Sequence, residues 1–284
     1  MESFELTRRR AKPLLGTLVE ITIPAGDDDA FLRATNLAFT EVAEVHRAMS
    51  FHDAGSDLRA LARAAAGAVL QLSPHTWRVL SLALEMEARS DGVFNAAVAP
   101  ALVANGLLPM PDGAQAPLAR SLAEGIELLP GHRLRVRSPL WVDLGGIAKG
   151  HAVDRAVVCL QSMGVASGLV NAGGDMRAFG SGAHPVRLRV AGGLRSIGSL
   201  RHGALASSSN ADGRDAAHSP HIDPRTGRPV RSAKAVVVQA PSAAVADALT
   251  KVALLCPATA DRMCVTLRAD WRAFDHQEAV EARG

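Results

Sequence analysis

Apolar and polar positions change rhythm several times along this chain, and each rhythm predicts an element. Thr17-Leu-Val-Glu-Ile-Thr-Ile-Pro24 alternates with period two, as a half-buried strand does. Asp27-Asp28-Asp29 offers a cap and an acidic first turn, and residues 30–49 follow at helical spacing through Phe31, Leu37, Val42, Val45 and Met49. A shorter helix is predicted from Ser56-Asp57. A longer one is predicted over 75–89, capped by Ser73 or His75, with Leu80, Leu82, Leu84 and Met86 apolar. Residues 91–106 are rich in small side chains and read as turns; 109–123 carry prolines and read as a surface loop. Strands are predicted over 133–137 and 141–144, then an amphipathic helix over 147–163 closed by Gly164. Residues 167–174 read as a strand and tight turn, 186–190 and 235–239 as strands, 242–255 as a helix stopped before Pro257, and 264–267 as a last strand. These elements follow one another without a regular βαβ rhythm. The expected class is therefore α+β, with mixed or antiparallel sheets packed with helices. No repeat or low-complexity linker divides the 284 residues, so a single domain over 1–284 is expected.

Composition narrows the function classes. Apolar residues make up 48% of the chain, enough for a sizeable core, yet no run approaches the ~18 residues of a membrane span. Met1-Glu-Ser-Phe-Glu-Leu-Thr-Arg-Arg-Arg10 carries charge with no apolar stretch behind it, and Lys12-Pro-Leu-Leu-Gly16 is too short to supply one. No secretory signal is read, and a cytoplasmic location is expected. Cys159, Cys256 and Cys264 are odd in number and sit among apolar residues, as reduced core thiols do. The net charge of +3 is spread thinly, aromatics reach only 4%, and tyrosine is absent, so a nucleic-acid surface built on stacking is not expected.

Lysine is rare: only Lys12, Lys149, Lys234 and Lys251 occur. This rarity draws attention to Trp141-Val-Asp-Leu-Gly-Gly-Ile-Ala-Lys-Gly-His-Ala-Val-Asp154. An apolar strand pattern passes through Gly145-Gly146 and presents Lys149 where a helical pattern begins. Glycines let backbone approach a ligand, a helix start offers unpaired N–H groups, and the lysine adds charge, so the segment suits a phosphate. An ordinary strand-to-helix turn with a surface lysine has the same spacing. The Gly-x4-Gly-Lys-Ser/Thr pattern of a Walker loop is absent.

Other blocks accompany it. Leu15-Gly-Thr17 leads into the strand at 17–24, Met49-Ser-Phe-His52 and Ser56 follow the first long helix, and Gly92-Val-Phe-Asn-Ala-Ala-Val-Ala-Pro100 follows the third. Leu169-Val-Asn-Ala-Gly-Gly-Asp175, His221-Ile-Asp-Pro-Arg-Thr-Gly-Arg-Pro229 and Ala246-Asp-Ala-Leu-Thr250 complete the set. Each has a plain structural reading: a hairpin turn at 171–174, an Asx-closed turn at 222–227, and a first-turn acid at Asp247. Asp247 and Thr250 stand three apart and share a helix face, and hard oxygen ligands of this kind suit Mg2+. In order and spacing the blocks together resemble the ApbE family of FAD:protein FMN transferases, over roughly residues 12–256.

The resemblance implies an ApbE-like fold and a transferase that takes FAD as substrate with Mg2+. It cleaves the pyrophosphate, moves FMN to a Ser or Thr of an acceptor flavoprotein and releases AMP. It further implies that FAD lies along Leu15, His52, Val93, Phe94, Asn95, Asp143, Lys149 and Ile222. Mg2+ is implied at the Gly146 carbonyl, Asp247 and Thr250, and His221 is the candidate base for the acceptor hydroxyl.

The chain also departs from the family pattern. A histidine usually stands three residues before the Asp of the Asp-Pro-x-Thr-Gly block; here Pro220 holds that place, with His221 beside it and His218 further back. Asn95-Ala-Ala97 replaces an Asp-x-Thr, His52 an aromatic, and Leu15 a methionine. Lys251 stands where the last metal-binding hydroxyl is expected; either Thr250 substitutes, or the ammonium itself takes the cation's place. Two alternatives follow: an FAD-binding carrier without transferase activity, and an FAD pyrophosphatase.

Overall fold

A computed structural model of the chain describes residues 6–190, 193–209, 221–230, 232 and 234–275. Two antiparallel strands open it, β1 (Thr7–Leu14) and β2 (Thr17–Pro24). Leu15 and Gly16 join them with φ of 57° and 70°, the positive values that a primed two-residue hairpin needs. Helix α1 (Asp28–Met49) is capped by Asp27, whose carboxylate accepts the Ala30 N–H at 2.9 Å. Its buried face runs Phe31, Ala34, Thr35, Ala38, Phe39, Val42, Val45, Met49. Leu37, expected on that face, is exposed, because Ala38 holds the inward position of that turn.

Ser56 caps α2 (Asp57–Arg63); β3 (Val69–Gln71) follows, and Ser73 caps α3 (Pro74–Arg89). The stretch 91–106, expected as turns only, contains α4 (Ala99–Ala104), which a proline in its first turn helps to start. After the loop come α5 (Leu122–Gly125), β4 (Ile126–Leu129) and β5 (Arg133–Val136). Residues 141–144, expected as a strand, form none among the described residues; the Asp143 N–H donates instead to the Ala96 carbonyl at 2.8 Å. Helix α6 (Ala148–Ser162) leads to β6 (Gly168–Ala172), β7 (Asp175–Phe179), β8 (His184–Val190), β9 (Gly193–Leu200) and β10 (Gly203–Ser209). A small hairpin, β11 (Ile222–Asp223) and β12 (Arg228–Pro229), precedes β13 (Lys234–Ala240) and α7 (Ala243–Leu255). The strand expected over 264–267 is instead the end of α8 (Pro257–Leu267), whose buried Thr259, Ala260, Met263 and Cys264 keep helical spacing. The last strand is β14 (Asp270–Asp275).

Seven strands form one antiparallel sheet in the order β1-β2-β6-β7-β10-β13-β14. Its pleat sorts side chains to two faces. Val19, Ile21, Val170, Ala204, Ala206, Val236 and Val238 join the main core with α1, α6 and α7. Leu205, Ala235 and Val237 face the other way and pack against Val186, Leu188 and Leu200 of the β8–β9 hairpin. The α+β class is the observed architecture, and of the mixed or antiparallel sheets expected, every strand pairing among the described residues is antiparallel. No helix among the described residues is long and apolar enough to cross a membrane.

One contact sets the geometry of the site. A Cβ at Gly150 would stand 2.2 Å from the Ala243 carbonyl oxygen. Only glycine lets the first turn of α6 touch the backbone of α7 there, and that contact brings Lys149 beside Asp247.

Candidate active site

A cavity of about 970 Å³ opens beside the start of α6, the β6–β7 turn and the end of β10. Val93, Phe94 and Ile222 give it an apolar wall, with Leu102, Leu107 and Leu108 nearby, and Arg187 and Leu188 of β8 line it as well. Its polar floor gathers Asp143, Lys149, Asn171, Ser207, Ser208, Ser209, His221 and Lys251.

Each polar group reaches the floor for a local reason. Asn171 is the penultimate residue of β6 and its side-chain carbonyl accepts the Gly174 N–H at 3.0 Å. Gly173 and Gly174, with φ of 63° and 102°, close the two-residue turn to Asp175. A Cβ on Gly173 would meet Thr17 Oγ1 at 2.4 Å, so this turn packs directly on the start of β2. Asp175 is consequently buried below the turn, where the Lys149 Nζ lies 2.8 Å from its Oδ2.

Asp247, fully buried on α7, ties the floor together. Its Oδ2 accepts from Lys149 Nζ and the Gly150 N–H, both at 3.3 Å, and its Oδ1 accepts from Lys251 Nζ at 2.5 Å. Lys251 also donates to Ser208 Oγ at 3.0 Å and Thr250 Oγ1 at 3.1 Å. The two hydroxyls are 2.7 Å apart, and Thr250 donates to the Asp247 backbone carbonyl at 2.6 Å.

Burial pushes the carboxyls of this cluster up, and the ammoniums oppose it. For Asp247, Lys149 and Lys251 outweigh burial and hold the group below the usual carboxylate range. For Asp175, burial and repulsion from Asp247 win over Lys149, and its pKa is raised to about 6. Asp143 is also raised by burial, against the Gly145 N–H and both lysines. Burial alone would lower the Lys149 pKa, but Asp247 and Asp175 overcome it and keep the ammonium charged. His221 is lowered to about 3, by burial first and then by Lys251 and Lys149, so its imidazole is neutral near pH 7.

Of the residues singled out in the sequence, Val93, Phe94, Asn95, Asp143, Gly146, Lys149, His221 and Ile222 line the cavity. Asn95 is engaged with protein on both ends: its amide donates to the Arg120 carbonyl at 2.8 Å and its oxygen accepts the Ala97 N–H at 2.7 Å. Asp247 and Thr250 lie just under the surface, fully buried. Leu15 sits at the tip of the β1–β2 turn, packed on the core, and His52 is exposed; neither contributes to the cavity wall. His221, one residue before β11, lines the wall next to Ile222, and its carbonyl accepts the Val230 N–H at 2.8 Å. The Asp223-Pro-Arg-Thr-Gly227 stretch is a tight turn. The Thr226 and Gly227 N–H groups donate to the Asp223 carbonyl, and Arg225 pairs with the Asp223 carboxylate. His218 and Pro220 lie outside the described residues. Asp175 and Ser208 were not singled out. Asp175 carried a signal, since it ends the Asn171-Ala-Gly-Gly-Asp175 block, whereas Ser208 had none because its partners are 42 and 43 positions away.

The metal expected from the family meets an occupied place. Both oxygens of Asp247 are held by ammoniums, Thr250 Oγ1 and Ser208 Oγ are turned to Lys251, and the Lys251 stem lies along Gly146. A cation needing six oxygens at 2.0–2.1 Å does not fit this donor set as it stands.

Residues 15–273 match the family model described as the ApbE family. The chain belongs to the ApbE family. A curated relative from Rhodobacter capsulatus named FAD:protein FMN transferase is 29% identical over 95% of this chain and 53% of its own length. One of the same name from Vibrio cholerae is 29% identical over 66% of this chain and 63% of its own. The chain thus spans about half the length of the Rhodobacter capsulatus relative. Among solved structures, the apo flavinyl transferase ApbE of Pseudomonas stutzeri aligns with a TM-score of 0.82 at 20% identity, covering 98% of this chain and 94% of that one. The ApbE protein of Thermotoga maritima aligns with a TM-score of 0.79 at 22% identity, over 96% and 97%. These likenesses establish the fold.

Proposed function

We propose that this chain is an FAD:protein FMN transferase, moving FMN from FAD to a Ser or Thr hydroxyl of an acceptor flavoprotein. The observation that carries the reading is one cavity joining an apolar wall at Val93, Phe94 and Ile222 to a floor holding Lys149, Lys251 and neutral His221. Such a cavity suits a ligand with flat apolar rings linked through a pyrophosphate. The relatives' shared name agrees with it.

In this reading the apolar wall seats the rings, and the two ammoniums face the pyrophosphate. They neutralise the charge that grows on the bridging oxygen as the phosphoanhydride opens. The acceptor oxygen bonds to the FMN phosphorus, the P–O bond to AMP breaks, and AMP leaves carrying the electron pair. His221 takes the acceptor's proton, which passes on to the departing phosphate or to water. In the free site burial first, and then the two lysines, make the imidazolium costly. A bound pyrophosphate offsets the lysines' share of that cost and so raises the basicity of His221 as substrate arrives. Asn95 serves as a brace for the wall, and Asp175 and Asp247 hold the ammoniums in place. We assign the protein to the reducing cytoplasm, where its three free thiols persist; cell fractionation checks this.

The test is direct. Purified protein, FAD and candidate acceptors are incubated and run on a denaturing gel. The expected result is flavin fluorescence that co-migrates with an acceptor, one AMP per flavin, and loss of signal when the acceptor hydroxyl is removed. AMP and FMN released without any acceptor would point to a pyrophosphatase. FAD bound without AMP release, across all acceptors, would point to a carrier.

A further inference from the structure

We infer that the Lys251 ammonium is the resident cation of this cavity, so that a pyrophosphate is bound without a divalent metal. This deepens the FAD reading and rests on it for the identity of the ligand.

The ammonium sits in a cage of oxygens built for it. Lys251 follows Asp247 by one turn of α7, which places Nζ over Oδ1 at 2.5 Å. Thr250 from the same turn and Ser208 from β10 supply the other two oxygens, at 3.1 and 3.0 Å. An ammonium has three N–H donors and no acceptor, and here three acceptors meet it. The remaining oxygen of Asp247 is taken by Lys149 and the Gly150 N–H. Three of that carboxylate's roughly four lone-pair sites are thereby taken, and a metal would meet an ammonium at either oxygen. The aliphatic stem closes the last approach: a Cβ on Gly146 would find the Lys251 Cε, Cγ and Cδ at 3.3, 3.5 and 3.7 Å. Even so, Lys251 lines the cavity and its side chain keeps 17% of its exposure, so its charge acts on whatever lies there. A phosphate oxygen can replace one hydroxyl as acceptor without moving the ammonium.

The full chain, the charge-removing Lys251→Ala and the charge-keeping Lys251→Arg are compared with two probes, FAD and ADP. Binding is followed by calorimetry with Mg2+ and with chelator. Separately, Mn2+ binding in the absence of nucleotide is followed by electron paramagnetic resonance. The parent protein is expected to bind each probe equally in both buffers and to show no bound Mn2+. Lys251→Ala is expected to bind the probes about 10- to 100-fold more weakly in chelator. The emptied oxygen cage is expected to take up Mn2+, with Mg2+ restoring part of the lost affinity. Lys251→Arg is expected to retain metal-independent binding.

Parent affinity that rises tenfold or more with Mg2+, or Mn2+ bound by the parent protein at this cluster, would overturn the inference. So would a folded Lys251→Ala protein that binds both probes undiminished in chelator, or failure of the parent to bind either probe. ADP binding without FAD binding would leave the resident cation standing and sink the flavin reading instead. Should Lys251→Ala not fold, the parent's metal response and Mn2+ signal decide alone.

Discussion

Lys149 is the residue on which the buried charge depends. Its Nζ is shared by Asp175 and Asp247, whose residues are 1% and 0% exposed, so its removal takes the ammonium from Asp175 and leaves that buried carboxylate facing an Asp247 still held by Lys251. Lys149→Met is expected to lower stability by about 3–5 kcal/mol at pH 7, the usual cost of leaving a buried charge unpaired. The sign of its pH dependence separates this from lost packing. Asp175 titrates near 6 in the fold against 3.8 ordinarily, and loss of Lys149 raises it further. A folded state that holds its proton more tightly than the unfolded chain gains stability as pH falls. The gap between Lys149→Met and the parent, read from urea midpoints, is therefore expected to narrow from pH 7 to pH 5. A gap independent of pH would show that the ion pairs are not its source.

Helix α6 carries Lys149 to the site, and Gly150 sets where it stops. With the Ala243 carbonyl oxygen 2.2 Å from where a Cβ would be, Gly150→Ala must force α6 and α7 apart. A cost on the order of 3 kcal/mol is expected, since backbone cannot step aside as a side chain does. Gly164, at the other end of α6, has φ +80° and open space around it, so Gly164→Ala is expected to cost only about 1 kcal/mol, from backbone strain alone. Thermal melts of the two variants give the comparison, and equal losses would contradict it. Position along a helix thus decides what a glycine does, and that part was not legible in the sequence. The pattern Gly145-Gly146-Ile-Ala-Lys149-Gly150 marked a phosphate-suited turn. The sequence gives no sign that Gly150 is the contact with a helix almost a hundred residues on. Similarly, period-two alternation revealed β2, and capping residues placed α1, α2 and α3 well. Residues 264–267, β-branched and apolar, looked like a strand because four residues are too few to separate a strand from the last turn of a helix.

At the scale of the whole molecule, distance along the chain governs what could be foreseen. The wall residues Val93, Phe94 and Ile222 and the floor residues Asp143, Lys149 and His221 stand inside short motifs, and the fold brings them to one cavity. The ammonium cage joins β10 to α7, and nothing local to Ser208 announces it. Leu15 and His52 also sat in motif positions, yet the β1–β2 turn and the end of α1 leave them off the wall.

Away from the cavity, His151 of α6 meets His75 of α3, with Nε2 and Nδ1 3.2 Å apart. Burial, and then the neighbouring His75, lowers the His151 pKa to about 3 from 6.5. The unfolded chain takes up this proton near pH 6.5 while the fold refuses it, so stability is lost as pH falls below about 6.5. His151 alone is expected to contribute a loss of about 1 kcal/mol by pH 5.5. His151→Gln, which does not titrate, is expected to flatten the dependence of urea midpoint on pH. Parallel profiles for parent and variant would contradict that assignment.

The central claim is that one cavity holds FAD with its pyrophosphate on the lysine floor and its rings on the apolar wall. A crystal structure of the FAD complex grown in chelator measures this most directly. The expected result places the pyrophosphate oxygens within hydrogen-bond reach of Lys149 and Lys251, beside His221, with a ring system against Val93, Phe94 and Ile222. A pyrophosphate bound away from both lysines, or a complex that forms only with a divalent metal in the Asp247 cage, would contradict the account.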